Sequence, residues 1–362
     1  MLEHRGKQRR FSFYGLLLLI LVTMVIVGCA SDESTESEDT EAVSEDTEDV
    51  ASFFEGKTIR LLVPFRSGSS FDMYPRMMAP ALEEEMGVTF RVENLTGAGG
   101  MIMNNELFKA EPDGLTLGIF SVLGSSMGEL GNAPGIEYSM KDFTWIGRYV
   151  DEPQVMVVRD DSPWQNYDDV LASDEAVVFG STGYTASTYN NPLALKLATK
   201  APIDIVTGFE GSDGVMQALL RGDVDAMAIS TGSSRVQSNI DDLRGLVLLS
   251  SELSDDFPDT PLAYDYVVEG DSGKKVLDSY VPALDVYRSL AAPPGMSPEK
   301  TEYLREMFAK ASESEDYKKW AAGAEKRVNY MSGSEVADRV DKIFANPAPA
   351  LVEILEENFH EE

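Results

Sequence analysis

Short apolar runs alternate with amphipathic segments along most of the chain after residue 53. Ile59 to Phe65 is a β-branched, apolar run that ends in the small polar stretch 66–70, which predicts a strand followed by a loop. Phe71 to Glu85 carries apolar residues at helical spacing, and Val88 to Val92 predicts the next strand. Strands that alternate with helices across short loops are typical of βαβ units, so the pattern predicts an α/β fold with a parallel sheet.

The alternation continues toward the C-terminus. The further predicted strands are Leu115–Phe120, Val155–Val158, Val177–Gly180, Asp204–Thr207 and Ala226–Ile229, and the further predicted helices are Asn191–Thr199 and Gly214–Arg221. Ser297-Pro298-Glu299 predicts another helix start, because Ser caps well, Pro fits the first helical position and an acid suits the first turn. The pattern favours two α/β lobes and leaves open how the chain divides between them.

The N-terminus has the features of an export signal. Basic residues between positions 4 and 10 precede an apolar run from Gly15 to Val27, which is shorter than the roughly 20 residues that span a bilayer. Cys29 is the only cysteine, and Ile26-Val27-Gly28-Cys29 resembles a lipobox. We therefore expect a lipoprotein signal peptide at 1–28, cleavage before Cys29 and a lipid on its thiol, which would anchor an extracytoplasmic protein to a membrane. The alternative is an uncleaved anchor with an incidental cysteine, and Arg9-Arg10 leaves twin-arginine and general export both open.

Residues 29–52 predict a disordered acidic linker. Ser31 to Ser52 contains no Lys, Arg, Gly or aromatic residue, so it cannot bury enough apolar surface to fold alone. The whole chain has 62 acidic and 30 basic residues, a formal net charge of -32. This charge excludes nucleic acid as a partner and favours a salt-rich habitat, in which self-repulsion is screened.

Short motifs follow one another in a specific order between about residues 56 and 355. They are Ile59–Phe65 with Gly68 and Asp72, Val92-Glu93-Asn94 with Gly97–Gly100, Ala110–Leu117, Lys141-Asp142-Phe143, Ala218–Asp225, Phe257–Pro261 and Leu290–Gly295. In sequence and order these motifs resemble the periplasmic receptors of the tripartite tricarboxylate transporters, the Bug family.

The resemblance implies a two-lobe, periplasmic-binding-protein-like fold of the Venus-flytrap type. The first lobe would combine 53–150 with 285–362, and the second would be 151–284. A small carboxylate would bind between the lobes and be delivered to a membrane permease, with no cofactor and with the receptor as a monomer. A signalling partner in place of the permease is the alternative. Because the global charge opposes an anionic ligand, we expect binding by helix ends in a mostly neutral cleft.

The loop from Arg66 to Asp72 is the first predicted binding segment. It lies between a strand and a helix, where unpaired N–H groups and the helix dipole bind anions without any lysine. Family members carry more glycine here. Gly68, Ser69 and Ser70 would donate through backbone or hydroxyl groups, Phe71 would line the cleft, and Arg66 would bind a carboxylate through its guanidinium group. The predicted binding residues of this loop are Arg66, Ser67, Gly68, Ser69, Ser70, Phe71 and Asp72. Asp72 capping its own helix is the structural alternative.

Further binding residues are predicted after other strands. A second loop before a helix resembles a ligand-contacting loop of the family and contributes Ser181, Thr182, Gly183, Thr185 and Ser187. Phe209 and Gly211 belong to a third such segment, in which Glu210 replaces the family's basic residue. Ser121 and Ser125 follow the strand that ends at Phe120.

A serine hydrolase is the rival class that the sequence raises. Gly124-Ser125-Ser126-Met127-Gly128 matches G-x-S-x-G after a predicted strand. Such an enzyme needs a histidine base, and the two histidines, His4 and His360, stand near the ends of the chain. The scarcity of histidine also excludes a catalytic zinc site. A dinucleotide-binding loop is excluded because Gly97–Gly100 lacks the G-x-G-x-x-G spacing. We therefore expect a binding protein rather than an enzyme.

Overall fold

The structure, a computed structural model, describes residues 49–183, 186–268, 270–324 and 326–360, which all belong to one compact unit, 42–362. The predicted signal peptide, Cys29 and residues 30–48 of the predicted linker lie outside the described residues. Residues 49–54 are helical, and Val50 and Ala51 pack against the core. The folded body therefore begins before Phe53, where the sequence placed its start.

Eleven strands belong to two sheets in the described part of the chain. They are β1 (Thr58–Val63), β2 (Thr89–Asn94), β3 (Thr116–Ser121), β4 (Thr144–Val150), β5 (Gln154–Arg159), β6 (Val177–Gly180), β7 (Ile203–Val206), β8 (Ala226–Ser230), β9 (Leu243–Leu249), β10 (Arg288–Ala292) and β11 (Met331–Ser332). The first sheet has the order β11-β4-β10-β3-β1-β2, and the second has the order β7-β6-β8-β5-β9.

Helices connect and cover these strands. They are α1 (Ser70–Met86), α2 (Met101–Phe108), α3 (Val122–Leu130), α4 (Tyr167–Leu171), α5 (Ser187–Thr199), α6 (Gly211–Arg221), α7 (Ser234–Gln237), α8 (Asp271–Asp285), α9 (Pro298–Ser312), α10 (Glu315–Gly323), α11 (Gly333–Ala345) and α12 (Pro349–His360). As the sequence predicts, Ser297 caps α9, accepting a hydrogen bond from Lys300 N at 3.3 Å. No helix in the described ranges is both long enough and apolar enough to cross a bilayer.

The largest hydrophobic cluster contains residues of both sheets. Phe120 and Trp145 come from the first sheet, Phe179 and Val158 from the second, and Tyr280 from α8. The chain passes from the first sheet to the second at residues 151–153, between β4 and β5, and returns between α8 and β10. These two crossings place charged and polar residues between the sheets.

The predicted α/β class is confirmed, and the predicted strands and helices overlap the observed ones. The expectation of a parallel sheet is wrong in one respect, because both sheets are mixed. β10 and β11 run antiparallel to their neighbours in the first sheet, as does β5 in the second. β5 follows β4 of the first sheet, and β10 follows α8 after the second sheet, so neither strand is reached by a helical crossover from a parallel neighbour in its own sheet. The exact lobe boundaries, 53–150 with 285–362 and 151–284, stay predictions.

Candidate ligand-binding site

A cavity of about 290 Å³ lies where the chain crosses between the two sheets. Val150 at the end of β4, Gln154 at the start of β5 and Ser230 at the end of β8 line this cavity. Tyr287 and Arg288, at the return crossing, complete this part of its wall. Residues near both sheets therefore contribute to one cavity, which we call the polar cavity.

Three helices begin at the polar cavity. Ser70 is the first residue of α1, Ser187 is the first residue of α5 and Ser212 is the second residue of α6, and all three line the cavity. The N-cap residues of these helices make no side-chain capping hydrogen bond. The first N–H groups of a helix lack partners within it and, with the helix dipole, they attract anions. Three helix ends thus direct partial positive charge toward the cavity.

The loop before α1 is held in place by its own residues. The buried Asp72 carboxylate accepts hydrogen bonds from Gly68 N at 2.8 Å and from the Ser67 hydroxyl at 3.3 Å on one oxygen. Its other oxygen accepts from Arg76 and Asn94, each at 2.8 Å. Burial works against the charged carboxylate, but these bonds hold the pKa of Asp72 below its ordinary value. Asp72 therefore fixes the backbone that presents the start of α1.

The loop before α5 is tied to its helix in a similar way. The buried Ser181 hydroxyl lies 3.2 Å from the Thr188 hydroxyl, which also accepts a hydrogen bond from Thr182 N at 3.2 Å. The Phe209 N–H donates to the Ser181 carbonyl at 3.2 Å. This last bond joins the loop before α5 to the loop before α6, so the two helix starts keep a fixed relation to each other.

Arg288 places a buried cation in the wall of the polar cavity. Its side chain is 9% exposed, forms an ion pair with Glu152 and donates to the Ser70 hydroxyl at 3.1 Å. Aromatic rings surround the guanidinium carbon at cation–π range, namely those of Phe71 (4.7 Å), Tyr74 (5.6 Å) and Tyr287 (5.0 Å). Although burial works against the charge, Glu152 and Tyr287 hold the pKa of Arg288 above its ordinary value. Its Nε has no hydrogen-bond partner among the described residues, so the guanidinium keeps an unused donor.

The charged residues that line the polar cavity favour an anion. The cationic ones are Arg235, Arg288, Lys326 and Arg327, and the acidic ones are Asp151 and Glu152. Asp151 pairs with Arg327 at 3.4 Å, yet burial raises the pKa of Asp151 despite this partner. The cavity wall is therefore positive within a chain of net charge -32. The expectation of a mostly neutral cleft is wrong for this cavity.

A second cavity, of about 450 Å³, adjoins the polar cavity. Its walls are mainly apolar and include Phe65, Met101, Leu123, Met127, Ile136 and Phe359. Ser187 and Tyr287 line both cavities, and Ser121 and Ser125 line only the second. We call this space the apolar cavity.

The sequence-predicted binding residues fall into groups. Those that line one or both cavities are Ser70, Ser121, Ser125 and Ser187. Those in the adjoining loops and helix starts are Ser67, Gly68, Ser69, Phe71, Asp72, Ser181, Thr182, Gly183, Phe209 and Gly211. Arg66 is exposed and is not part of either cavity wall, and Thr185 lies outside the described residues. Their roles in ligand binding stay predictions.

Sequence reasoning missed the charged residues of the polar cavity. Two signals could have found some of them. Arg288 is the one charged residue of β10, and Asp151 and Glu152 directly follow the buried strand β4. Arg235 and Arg327 lie in segments whose local sequence carries no such signal.

Two chemical possibilities find no support in this part of the molecule. Ser126 lies inside α3, is fully buried, and its hydroxyl has no hydrogen-bond partner among the described residues. It therefore cannot reach a substrate as a hydrolase nucleophile would. Within the described ranges, no group of three or more His, Cys, Asp and Glu side chains is arranged to hold a metal ion.

Comparison with known sequences identifies relatives of the chain. A family model described as "Tripartite tricarboxylate transporter family receptor" matches residues 75–346. The protein BugT of Bordetella pertussis is 28% identical over 216 residues, which cover 58% of this chain and 66% of BugT. A UPF0065 protein of Agrobacterium vitis is 25% identical over 208 residues, 56% of this chain and 59% of that protein. The matches thus span less than two thirds of the length of these relatives.

Solved structures share the fold at low sequence identity. A TctC solute-binding protein from Polaromonas, without ligand, has a TM-score of 0.65 and 18% identity over 84% of this chain and 99% of that chain. MatC of Rhodopseudomonas palustris, with bound malate, has a TM-score of 0.53 and 20% identity over 84% and 99%. Rpa4515 of R. palustris, with adipate, has a TM-score of 0.57 and 19% identity over 84% and 97%. The predicted periplasmic-binding-protein fold is confirmed, and the matching family model describes a receptor rather than an enzyme.

Proposed function

The chain belongs to the receptor family of the tripartite tricarboxylate transporters, and from this premise we propose that it binds a small carboxylate in the polar cavity. The observation that carries the proposal is the convergence of three uncapped helix starts and four cationic side chains on a cavity lined from both sheets. Backbone N–H groups and guanidinium groups both donate to carboxylate oxygens. The malate and adipate bound by two structural neighbours support the same ligand class.

A ligand in this cavity contacts both sheets at once. Ser70 begins α1, which connects β1 and β2 of the first sheet, and Arg288 belongs to β10 of the same sheet. Ser187 and Ser212 lie at the starts of α5 and α6, which connect strands of the second sheet. A carboxylate that bridges these groups binds best when they are closest, so binding shifts the receptor toward its closed arrangement. Closure then distinguishes the loaded receptor from the free one for a membrane partner.

Titration calorimetry with the full-length chain in nonionic detergent tests the binding site. Malate, succinate and adipate are compared with succinamide, a neutral control that lacks the carboxylate charge. Arg235→Gln removes a cation of the cavity wall, and loss of a charged hydrogen bond of about 1.5 kcal/mol or more weakens binding at least about tenfold.

Arg221→Gln is the matched control for this variant. Arg235 forms an ion pair with Asp213. Arg221 likewise pairs with a single aspartate, Asp223, at 2.7 Å, but it is not part of the polar cavity wall. Its substitution is expected to leave the dissociation constant unchanged. Equal losses of affinity in the two variants, or equal binding of succinamide and succinate, would contradict a carboxylate site in the polar cavity.

The receptor is anchored by a lipid on Cys29 and delivers its ligand to permease subunits on the outer face of the cytoplasmic membrane. The apolar run that ends in Gly28-Cys29 supports the anchor, and the family description supports the permease. We expect wild-type protein in the membrane fraction with an acylated Cys29 by mass spectrometry, and release of Cys29→Ser as a soluble or uncleaved form. An unmodified Cys29 in the mature wild-type chain would overturn the anchor without affecting the binding site.

A further inference from the structure

The apolar cavity has a wall that a purely polar solute does not require. Its volume of about 450 Å³ exceeds that of the polar cavity, about 290 Å³. An apolar cavity of about 150 Å³ already holds a benzene ring. Phe65, Met101, Leu123, Met127 and Phe359 come from four separate segments and meet here, so the apolar character is not confined to one element.

Two polar side chains of this wall, Ser125 and Tyr138, have hydrogen-bond partners within the protein. The Ser125 hydroxyl accepts a hydrogen bond from Asn104 at 2.8 Å, and the Tyr138 hydroxyl donates to the Ser125 carbonyl at 3.2 Å. Because paired polar groups ask for no further partner, a hydrocarbon can occupy the apolar cavity without stranding them.

The two cavities share part of their wall. Ser187, at the start of α5, and Tyr287 line both cavities. The Tyr287 ring lies 5.0 Å from the Arg288 guanidinium carbon on the polar side, and Tyr287 also lines the apolar cavity. One molecule can therefore place its charged end near Arg288 and the rest of its body against Leu123 and Met127.

We infer that the ligand is a carboxylate with a hydrocarbon body, either a straight chain of about five carbons or more or an aromatic ring. This inference depends on the proposed function, since it uses the polar cavity for the carboxylate end. The hydrocarbon body occupies the apolar cavity, where each buried methylene group contributes about 0.8 kcal/mol, which corresponds to about a fourfold gain in affinity. Compact or heavily hydroxylated acids forgo this contribution.

A homologous series of ligands tests the inference by calorimetry on the full-length chain in detergent. The straight-chain monocarboxylates from butanoate to octanoate, and 3-phenylpropanoate, are compared with gluconate, which has six carbons but is hydroxylated. We expect about a fourfold gain in affinity for each methylene, and binding of gluconate at least about tenfold weaker than hexanoate. Binding of short and hydroxylated carboxylates without any gain along the series overturns the inference and leaves the proposed function intact.

A substitution in the apolar cavity locates the hydrocarbon. Ala133 lines only this cavity and lies in the loop after α3, so Ala133→Leu reduces the space without touching the polar cavity. We expect this variant to lose the chain-length gain, while Ala133→Ser keeps it. A gain that persists in Ala133→Leu, with an unchanged melting midpoint, overturns the inference. No binding of any carboxylate by the wild type overturns the proposed function and the inference together.

Discussion

Arg288 and Glu152 neutralise each other in the wall of the polar cavity, and their side chains are only 9% and 18% exposed. A ligand carboxylate near this pair is attracted by the guanidinium and repelled by the glutamate. Removing one member of a buried ion pair leaves the other charge without its partner. Each substitution therefore changes both ligand affinity and protein stability. The two effects have opposite signs for Glu152, which makes it the most informative position at the residue scale.

Glu152→Gln is expected to bind dicarboxylates at least about fivefold more tightly, because it removes a like charge beside the ligand while leaving Arg288 in place. The same variant should lower the free energy of unfolding, since Arg288 loses its charged partner. Calorimetry and urea unfolding measure the two effects. Glu137→Gln, in an exposed pair with Lys109 outside both cavities, is the control and should change neither. Weaker binding by Glu152→Gln would show that Glu152 itself contacts the ligand.

Asp151 makes ligand affinity depend on pH. Burial raises the pKa of Asp151, so the folded protein binds its proton more readily than the unfolded chain does. The neutral form therefore favours folding at low pH, and this contribution is lost as the pH rises through the folded pKa. Protonation also removes a negative charge from the polar cavity, so affinity for an anion should increase as the pH falls, as long as the ligand stays ionised.

Calorimetry between about pH 7.5 and about pH 5 on the wild type and Asp151→Asn checks this pH dependence. The variant should bind more tightly at the upper pH, and its affinity should vary less across the range. Parallel pH profiles for the two proteins would assign the dependence to another group.

The helices differ in whether an N-cap side chain makes a capping hydrogen bond. Asn166, Ser297, Ser314 and Ser332 cap α4, α9, α10 and α11 through side-chain hydrogen bonds. The three helices that begin at the polar cavity, α1, α5 and α6, have no such bond, and neither do α2, α3 and α8. The free N–H groups of α1, α5 and α6 remain available to a ligand, whereas the capped helices owe part of their stability to the cap.

Ser297→Ala is accordingly expected to lower the free energy of unfolding by about 1 kcal/mol without changing ligand affinity. Ser69→Ala should cost much less stability. Ser69 is the N-cap of α1, but it makes no capping bond and its buried hydroxyl has no partner among the described residues. Urea unfolding of the two variants gives the comparison. Equal losses of stability would mean that Ser69 caps α1 in solution.

The elements were predictable wherever local pattern decides them. β1 and β6 are apolar and β-branched, and they lie at or within two residues of the predicted positions. The antiparallel entry of β10 was not predictable, because its pairing with β3 and β4 joins residues far apart in the chain. The residues of the polar cavity were only partly predictable, for the same reason. The helix starts carry local turn signals, but the Arg288–Glu152 pair joins positions 136 residues apart.

At the scale of the whole molecule, the two sheets share one hydrophobic cluster. Phe120 of the first sheet, Phe179 of the second and Tyr280 of α8 belong to it. We therefore expect the described body to unfold in a single transition, with equal calorimetric and van't Hoff enthalpies in differential scanning calorimetry. Two resolved transitions would show that the sheets unfold independently despite this cluster.

The charge of the whole molecule opposes the ligand that the polar cavity attracts. The formal net charge is -32, while cationic residues outnumber acidic ones in the cavity wall. The screening length falls from about 30 Å at 0.01 M salt to about 3 Å at 1 M. Added salt therefore weakens the long-range repulsion of an anion more than it weakens contacts within the cavity. We expect the melting midpoint to rise with salt and the dissociation constant of a dicarboxylate to stay level or fall a few-fold, as measured by scanning and titration calorimetry. A steep loss of affinity with salt would mean that exposed charges, rather than helix ends and the buried Arg288, capture the ligand.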